Sequence, residues 1–271
     1  MHIDPERSRL DLARTSVHAM PWFAALAFAG LTACLWHNST TLAADVVVPP
    51  AIQAIVDSPD RSPADRETDK RRHPAELLAF SGVNSGMAVF DSGTGRGYTA
   101  ELLARVVGPQ GSIVAQNDPI VFDRFLKSQW DPRFANPRMR NVTTVVRPYD
   151  DPIPPDSGPF DLITAIYIYH DTVWMGRDRK AMNLAFFNAL KPGGHLILVD
   201  HSGGPGTGAT QTDTLHRIEE SVVRSELEAT GFKLVDTAQF LRNPDDPRDT
   251  PFFKATVPVD GFVLKYVKPQ P

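Results

Sequence analysis

The chain has 271 residues, 42% of them hydrophobic and 22% charged, with a single cysteine and a formal charge of −4. That composition is globular and excludes wholesale disorder or a disulfide scaffold. A core grows to roughly 250 residues before splitting, so one main domain is expected. The acidic excess lacks the clustered Lys and Arg that neutralise phosphate backbones, so nucleic acid is not an expected partner.

Arg7, Arg9 and Arg14 precede an uncharged run at 21–36, and a polar stretch ending Thr41-Leu42-Ala43-Ala44 follows. This is the layout of an export signal, and the run is shorter than the about 20 residues of a spanning helix. Residues 1–44 therefore read as a leader, and the mature chain as exported and periplasmic. Two processing routes stay open. Leu31-Thr32-Ala33-Cys34 resembles a bacterial lipoprotein box, which would tie the chain to a membrane through lipid on Cys34. Cleavage after Ala43 or Ala44 would instead discard that residue, and either route accounts for a lone cysteine in an exported chain.

Residues 45–72 carry Pro49, Pro50, Pro59 and Pro63 among Asp, Arg and Ser, and read as a flexible linker with one short helix at 51–56. The run Lys70-Arg71-Arg72-His73 reads as a solvated helix face. From 73 to 271 the pattern alternates. A helix opens at Pro74 and stops at Gly82; an apolar strand at 87–90 enters a glycine turn; a helix at 98–107 with Leu102, Leu103, Val106 and Val107 on one face ends at Gly108-Pro109. Strands follow at 113–115, 142–146 and 161–168, then a helix at 179–190 with Met182, Ala185, Phe186 and Ala189 on its buried side. Lys191-Pro192-Gly193-Gly194 turns the chain into a strand at 195–200. A helix at 214–230 closed by Gly231 leads to strands at 232–236 and 261–267. Short apolar strands covered by helices predict a Rossmann-like α/β fold: three αβα layers around a doubly wound, seven-stranded, mostly parallel sheet with an antiparallel last strand.

The most informative stretch is Asp91-Ser92-Gly93-Thr94-Gly95-Arg96-Gly97-Tyr98. Alternate glycines let a backbone approach a ligand closely, and the following helix presents free N–H groups there. The dinucleotide fingerprint needs its third glycine one place later, where Tyr98 stands, which weakens a nicotinamide oxidoreductase reading. A carboxylate ahead of the glycines favours a cationic ligand over a pyrophosphate.

An acid-x-G-x-G-x-G turn after a strand resembles motif I of class I S-adenosylmethionine-dependent methyltransferases. Phe160-Asp161-Leu162-Ile163, Leu190-Lys191-Pro192-Gly193-Gly194-His195-Leu196 and Thr230-Gly231-Phe232-Lys233-Leu234-Val235 resemble that family's fourth strand, the turn into its fifth and the entry to its sixth. Together with the leader and Leu215-His216-Arg217-Ile218-Glu219, the layout resembles predicted exported bacterial methyltransferases. The resemblance implies S-adenosylmethionine as cofactor, its methionine portion surrounded by Asp91, Ser92, Gly93, Thr94, Gly95 and Gly97. It places the ribose contact at Asn117, a departure from the family's acid that adjacent Asp118 could make good, and the adenine contact at Asp150 or Asp151.

Catalytic groups in open α/β sheets lie beyond the C-terminal strand ends. Tyr169, His170 and Asp171 after the fourth strand, and Asp200 and His201 after the fifth, fall there. His170 is the candidate general base, with Asp171 or His201 orienting it. The same four residues His170, Asp171, Asp200 and His201 could gather a metal, but no recognised ligand spacing supports one, and no metal is assigned. The Asn-Pro-Pro-Tyr motif of amino-group methyltransferases is replaced by Ala165-Ile166-Tyr167-Ile168, which favours an oxygen acceptor on a small molecule. Gly203, Gly204, Gly206 and Gly208 suggest a lid. Two readings stand against the methyltransferase: an exported binding or accessory protein on the same fold, favoured by Asn117 and by a cofactor made in the cytosol, and the oxidoreductase.

Overall fold

The structure, a computed structural model, describes residues 45–127 and 131–271; the leader, Cys34 and both cleavage sites lie outside the described residues. Ahead of the sheet come α1 (Pro50–Val56), α2 (Pro63–Arg72) and α3 (Pro74–Ser81). The sheet and its crossovers follow as β1 (Ala88–Ser92), α4 (Tyr98–Val107), β2 (Ser112–Asn117), α5 (Pro119–Val121), α6 (Asp131–Phe134), β3 (Val142–Val146) and β4 (Phe160–Ile166). Next are α7 (Tyr169–Trp174), α8 (Arg179–Ala189), β5 (Leu190–His201), α9 (Glu220–Thr230), β6 (Lys233–Ala238) and β7 (Gly261–Val267). The strands lie in the order β3-β2-β1-β4-β5-β7-β6. β1 to β5 are parallel and β7 runs antiparallel between β5 and β6.

Both faces of the sheet are covered, as the apolar strands require. Val89 packs with Leu77, Leu78, Leu102 and Leu103, whereas its neighbour Phe90 packs with Met182, Phe186, Val223 and Leu227. This alternation divides the core into two layers. Pairing of β4 with β5 jumps from Phe160↔Leu190 to Leu162↔His195, so Lys191-Pro192-Gly193-Gly194 bulges out opposite a single residue. Among the described residues no helix is long and apolar enough to cross a membrane.

Three expectations are revised. Residues 50–72 are not a tether but two helices docked on the domain: Ile52 and Val56 join the core, Arg61 is clasped by Asp69 at 2.6 and 2.7 Å, and Asp65 by Arg133 at 2.7 and 2.9 Å. Paired charges stand in for the apolar surface the segment lacks. Arg72, at the end of α2, is not on a solvated face: its guanidinium lies over the rings of Tyr98 (5.3 Å) and Tyr167 (5.1 Å). The helix expected from 214 begins only at Glu220, because the preceding residues return to the sheet. Ile218 bridges Ser202, its N–H donating to His201 O and its carbonyl accepting from Gly203 N–H, while Arg217 is fully buried in a pair with Asp246. The same contacts fasten the glycine segment proposed as a lid, where Gly208 N–H also donates to Glu219 Oε2.

Candidate active site

The glycine turn sits at the C-terminal end of β1, where β1 lies between β2 and β4. Asp91 is buried. Its Oδ1 accepts from the Thr164 hydroxyl at 2.6 Å, while Oδ2 has no partner within bonding distance. Burial pushes this carboxyl up to about 6, opposed by the Thr164 bond, the nearby Thr94 hydroxyl and the Arg72 charge. The glycines differ. A β-carbon on Gly93 would stand 2.2 Å from Ile168 Cγ2 and 3.0 Å from the Tyr149 hydroxyl, whereas one on Gly95 would meet nothing within 4 Å.

β2 holds the turn in place. Gln116 Oε1 accepts from Ser92 Oγ (3.0 Å) and Gly93 N–H (3.2 Å), and its Nε2 donates to Arg147 O (2.6 Å). Asn117 is equally spent, its Oδ1 accepting from Gly95 N–H (2.9 Å) and its Nδ2 donating to Gly95 O (3.1 Å). The ribose role is therefore not available to Asn117 as it stands. Nor does Asp118 make it good: buried, it accepts from Ile120 N–H, Tyr149 N–H and the Arg177 guanidinium. Asp150 also faces Arg177, at 3.9 Å. Asp151 bonds Arg147 on the surface.

Next to the turn, over the ends of β4 and β5, opens a cavity of about 1040 Å³. Tyr167, His170, Asp171, His201, His216 and Arg72 are among its lining, and no residue from Asp91 to Asn117 is. Asp200, fully buried, organises this wall. Its Oδ1 pairs with His170 Nδ1 at 2.6 Å and accepts from His201 N–H, and its Oδ2 accepts from His170 N–H. His170 Nε2 lies 3.1 Å from Asp171 Oδ1, and Trp174 Nε1 donates to that same oxygen at 2.7 Å. Burial alone would lower the His170 imidazole, but Asp200 and Asp171 hold it up to about 10. His170 is then a cation near neutral pH, with no lone pair to act as the expected base. His201 stacks between Tyr167 and Phe252, both at 4.4 Å; burial and the charges of His170, Arg217, Arg72 and Arg71 hold it well below the usual imidazole range.

Of the expected catalytic residues, His170, Asp171 and His201 meet in this cavity. Tyr169 does not: its hydroxyl donates to Glu226 (2.7 Å) and accepts from Asn183 (2.8 Å) in the opposite layer. Tyr167 takes its place, two positions back and with φ at 59°. His216, 3.4 Å from Asp171 through Nδ1, lies in the run leading into α9, where the sequence pattern predicts helix. Phe252 and Arg72 carried no chemical signal in the sequence.

No family model matches the chain. Solved structures do, among them a SAM-dependent methyltransferase from Aquifex aeolicus at 17% identity and TM-score 0.55, covering 79% of this chain and 95% of that one. A putative sarcosine dimethylglycine methyltransferase from Galdieria sulphuraria matches at 16% identity and TM-score 0.54, over 82% and 92%. The chain has the class I methyltransferase fold. The [4+2]-cyclase SpnF matches at 16% identity and TM-score 0.52, over 77% and 82%, so this fold also carries other chemistry.

The residues of the turn fit the cationic end of S-adenosylmethionine: a buried carboxylate oxygen without a partner on Asp91 and, four residues on, an α-carbon at Gly95 with open space over it. They offer no free acceptor from β2 to the ribose.

Proposed function

We propose that the chain is an S-adenosylmethionine-dependent methyltransferase acting on a small molecule through an oxygen acceptor. The observation that carries this reading is the unpartnered Oδ2 of Asp91, two positions before Gly93. A buried carboxyl with an idle oxygen is costly, and a cationic ligand repays that cost. The faces of Tyr98 and Tyr167 add to the seat, since they already hold one cation, the Arg72 guanidinium.

Asp91 would hold the ammonium group of the methionine portion, and the backbone at Gly95 would let it approach. When bound, the cofactor supplies an electrophilic methyl group. The chain's own task is to align the acceptor, because an in-line displacement depends on orientation more than on acid–base help. Tyr167, His201 and Phe252 form an aromatic wall for it, and the Asp200 clamp keeps His170 and His201 in fixed orientations. Export, periplasmic residence and lipid on Cys34 belong to the same proposal, and fractionation with mass spectrometry of the mature N-terminus tests them.

Calorimetric titration of the full chain is the primary test. S-adenosylmethionine is expected to bind and NADH not to. Asp91→Asn is expected to weaken the cofactor roughly 10- to 100-fold, the range of a lost charge-assisted hydrogen bond. Absence of binding by the wild-type chain overturns the reading. A second reading, an exported binding or accessory protein on this fold, is favoured by one observation: Asn117 is spent on Gly95.

A further inference from the structure

Three donor groups from two separated segments converge on the cavity wall. His170 Nε2 lies 3.1 Å from Asp171 Oδ1, His216 Nδ1 lies 3.4 Å from the same oxygen, and one ligand atom from each of the three residues falls within 4.8 Å of the others. Around a metal ion with ligands at roughly 2.1 Å, adjacent donors stand about 3.0 Å apart in octahedral and about 3.4 Å apart in tetrahedral geometry. In the metal-free chain a proton on His170 Nε2 bridges to that oxygen, and an ion that displaces it finds both short spacings within this range.

The supporting contacts match as well. Metal-binding histidines characteristically give their other ring nitrogen to a carboxylate, which fixes the ring and strengthens the donor. His170 does so through Nδ1 to Asp200, a residue with no exposed surface. Trp174 Nε1 holds the Asp171 carboxylate. His216 sits at φ 52°, a left-handed backbone that ordinary residues seldom adopt, and its ring stands edge-on to that of His170 at 5.5 Å. All three residues line the large cavity.

We propose that His170, Asp171 and His216 form a two-histidine, one-carboxylate site for a single divalent transition-metal ion, with its remaining positions open to the cavity. Two imidazoles select zinc or ferrous iron over magnesium and calcium, which prefer sets made wholly of oxygen. Three protein ligands leave room for water or for an oxygen donor of a small-molecule substrate. The site draws nothing from the glycine turn, so it is measured with no nucleoside present and stands apart from the proposed function.

The test uses tag-free full-length protein stripped with a chelator and titrated with Co²⁺, read by visible absorption and tryptophan emission. Zn²⁺ and, without oxygen, Fe²⁺ then compete for the site. Saturation at one equivalent is expected, with a micromolar or tighter constant and a change in the emission of Trp174. Asp171→Asn and His216→Asn, the latter tolerant of the left-handed backbone, are expected to cost more than the roughly 10- to 100-fold that losing an outer partner costs. Asp200→Asn spares every ligand and is expected to fall in that lower range. Exposed Asp213→Asn leaves binding unchanged. Circular dichroism checks the fold of each variant. A wild-type chain that shows no saturable binding overturns the proposal, and so does binding that folded Asp171→Asn and His216→Asn leave intact.

Discussion

The glycine turn after β1 and the cluster of His170 on α7, His201 at the end of β5 and His216 before α9 lie at the same edge of one sheet, and they are built in opposite ways. The turn comes from a single stretch, 91–97, and is held by its neighbours on β2, with Gln116 and Asn117 bonding its backbone. The cluster draws on three segments and opens into a cavity of about 1040 Å³. The backbone of the turn is closed by β2 while Asp91 Oδ2 stays without a partner; the composite site is held from behind by Asp200 and lines the cavity. Recognisable sequence and open geometry do not coincide here.

Four substitutions sharpen or break that contrast. Arg217→Ala has the largest expected effect. The guanidinium and its partner Asp246 have fully buried side chains, and it also donates to Thr250 O and Ser202 O. Removing one partner of such a pair costs about 3–5 kcal/mol, read by urea unfolding. The loss is expected to fall on the cluster through neighbouring His216, so cobalt binding should fail while the turn keeps its ligand. Equal loss at both sites would mean that they are one cooperative unit.

Asp91→Asn tests the turn through pH. The Asp91 carboxyl stands at about 6 in the folded chain against 3.8 ordinarily, so the folded state binds the extra proton. Its contribution to stability is fully present below about pH 4 and is lost as pH rises through 6. Above that, the buried charge costs up to about 3 kcal/mol. The variant is therefore expected to gain stability over the wild type as pH rises from 4 to 7, measured as the difference between their melting temperatures. A difference that stays flat with pH would show that Asp91 is not strained.

The smallest effect separates two glycines two residues apart. Gly93→Ala drives a methyl group against Ile168 and Tyr149, whereas Gly95→Ala enters open space. Both sit at positive φ, 66° and 57°, and so share a backbone cost of about 1 kcal/mol. Overpacking adds about 2 kcal/mol more at Gly93 alone. Gly95→Ala should instead weaken S-adenosylmethionine binding with little loss of stability.

The fold was legible because its signals are local. The strand at 142–146 and that at 261–267 coincide with β3 and β7. The misreadings share a cause. The 50–72 segment and the run before α9 are held by distant ion pairs, Asp65 with Arg133 and Arg217 with Asp246, which leave no periodic trace in either segment. In the cavity, His170, Asp171 and His201 were readable as polar residues at strand ends. Tyr167 was not preferred over Tyr169, because which of the two faces the cavity depends on a left-handed residue at the end of β4.

The sequence by itself determined the layering of the sheet, the place of the glycine turn and the edge on which the chemistry lies, since apolar period and glycine spacing act over a few residues. Only the tertiary structure decided that Asn117 and Asp118 are occupied, that Arg72 lies between two tyrosines and that His216 completes a cluster with His170 and Asp171. Those facts depend on which atoms meet across 22 to 95 positions of chain, and hydrogen bonds and ring contacts at such range follow from packing rather than from any local pattern.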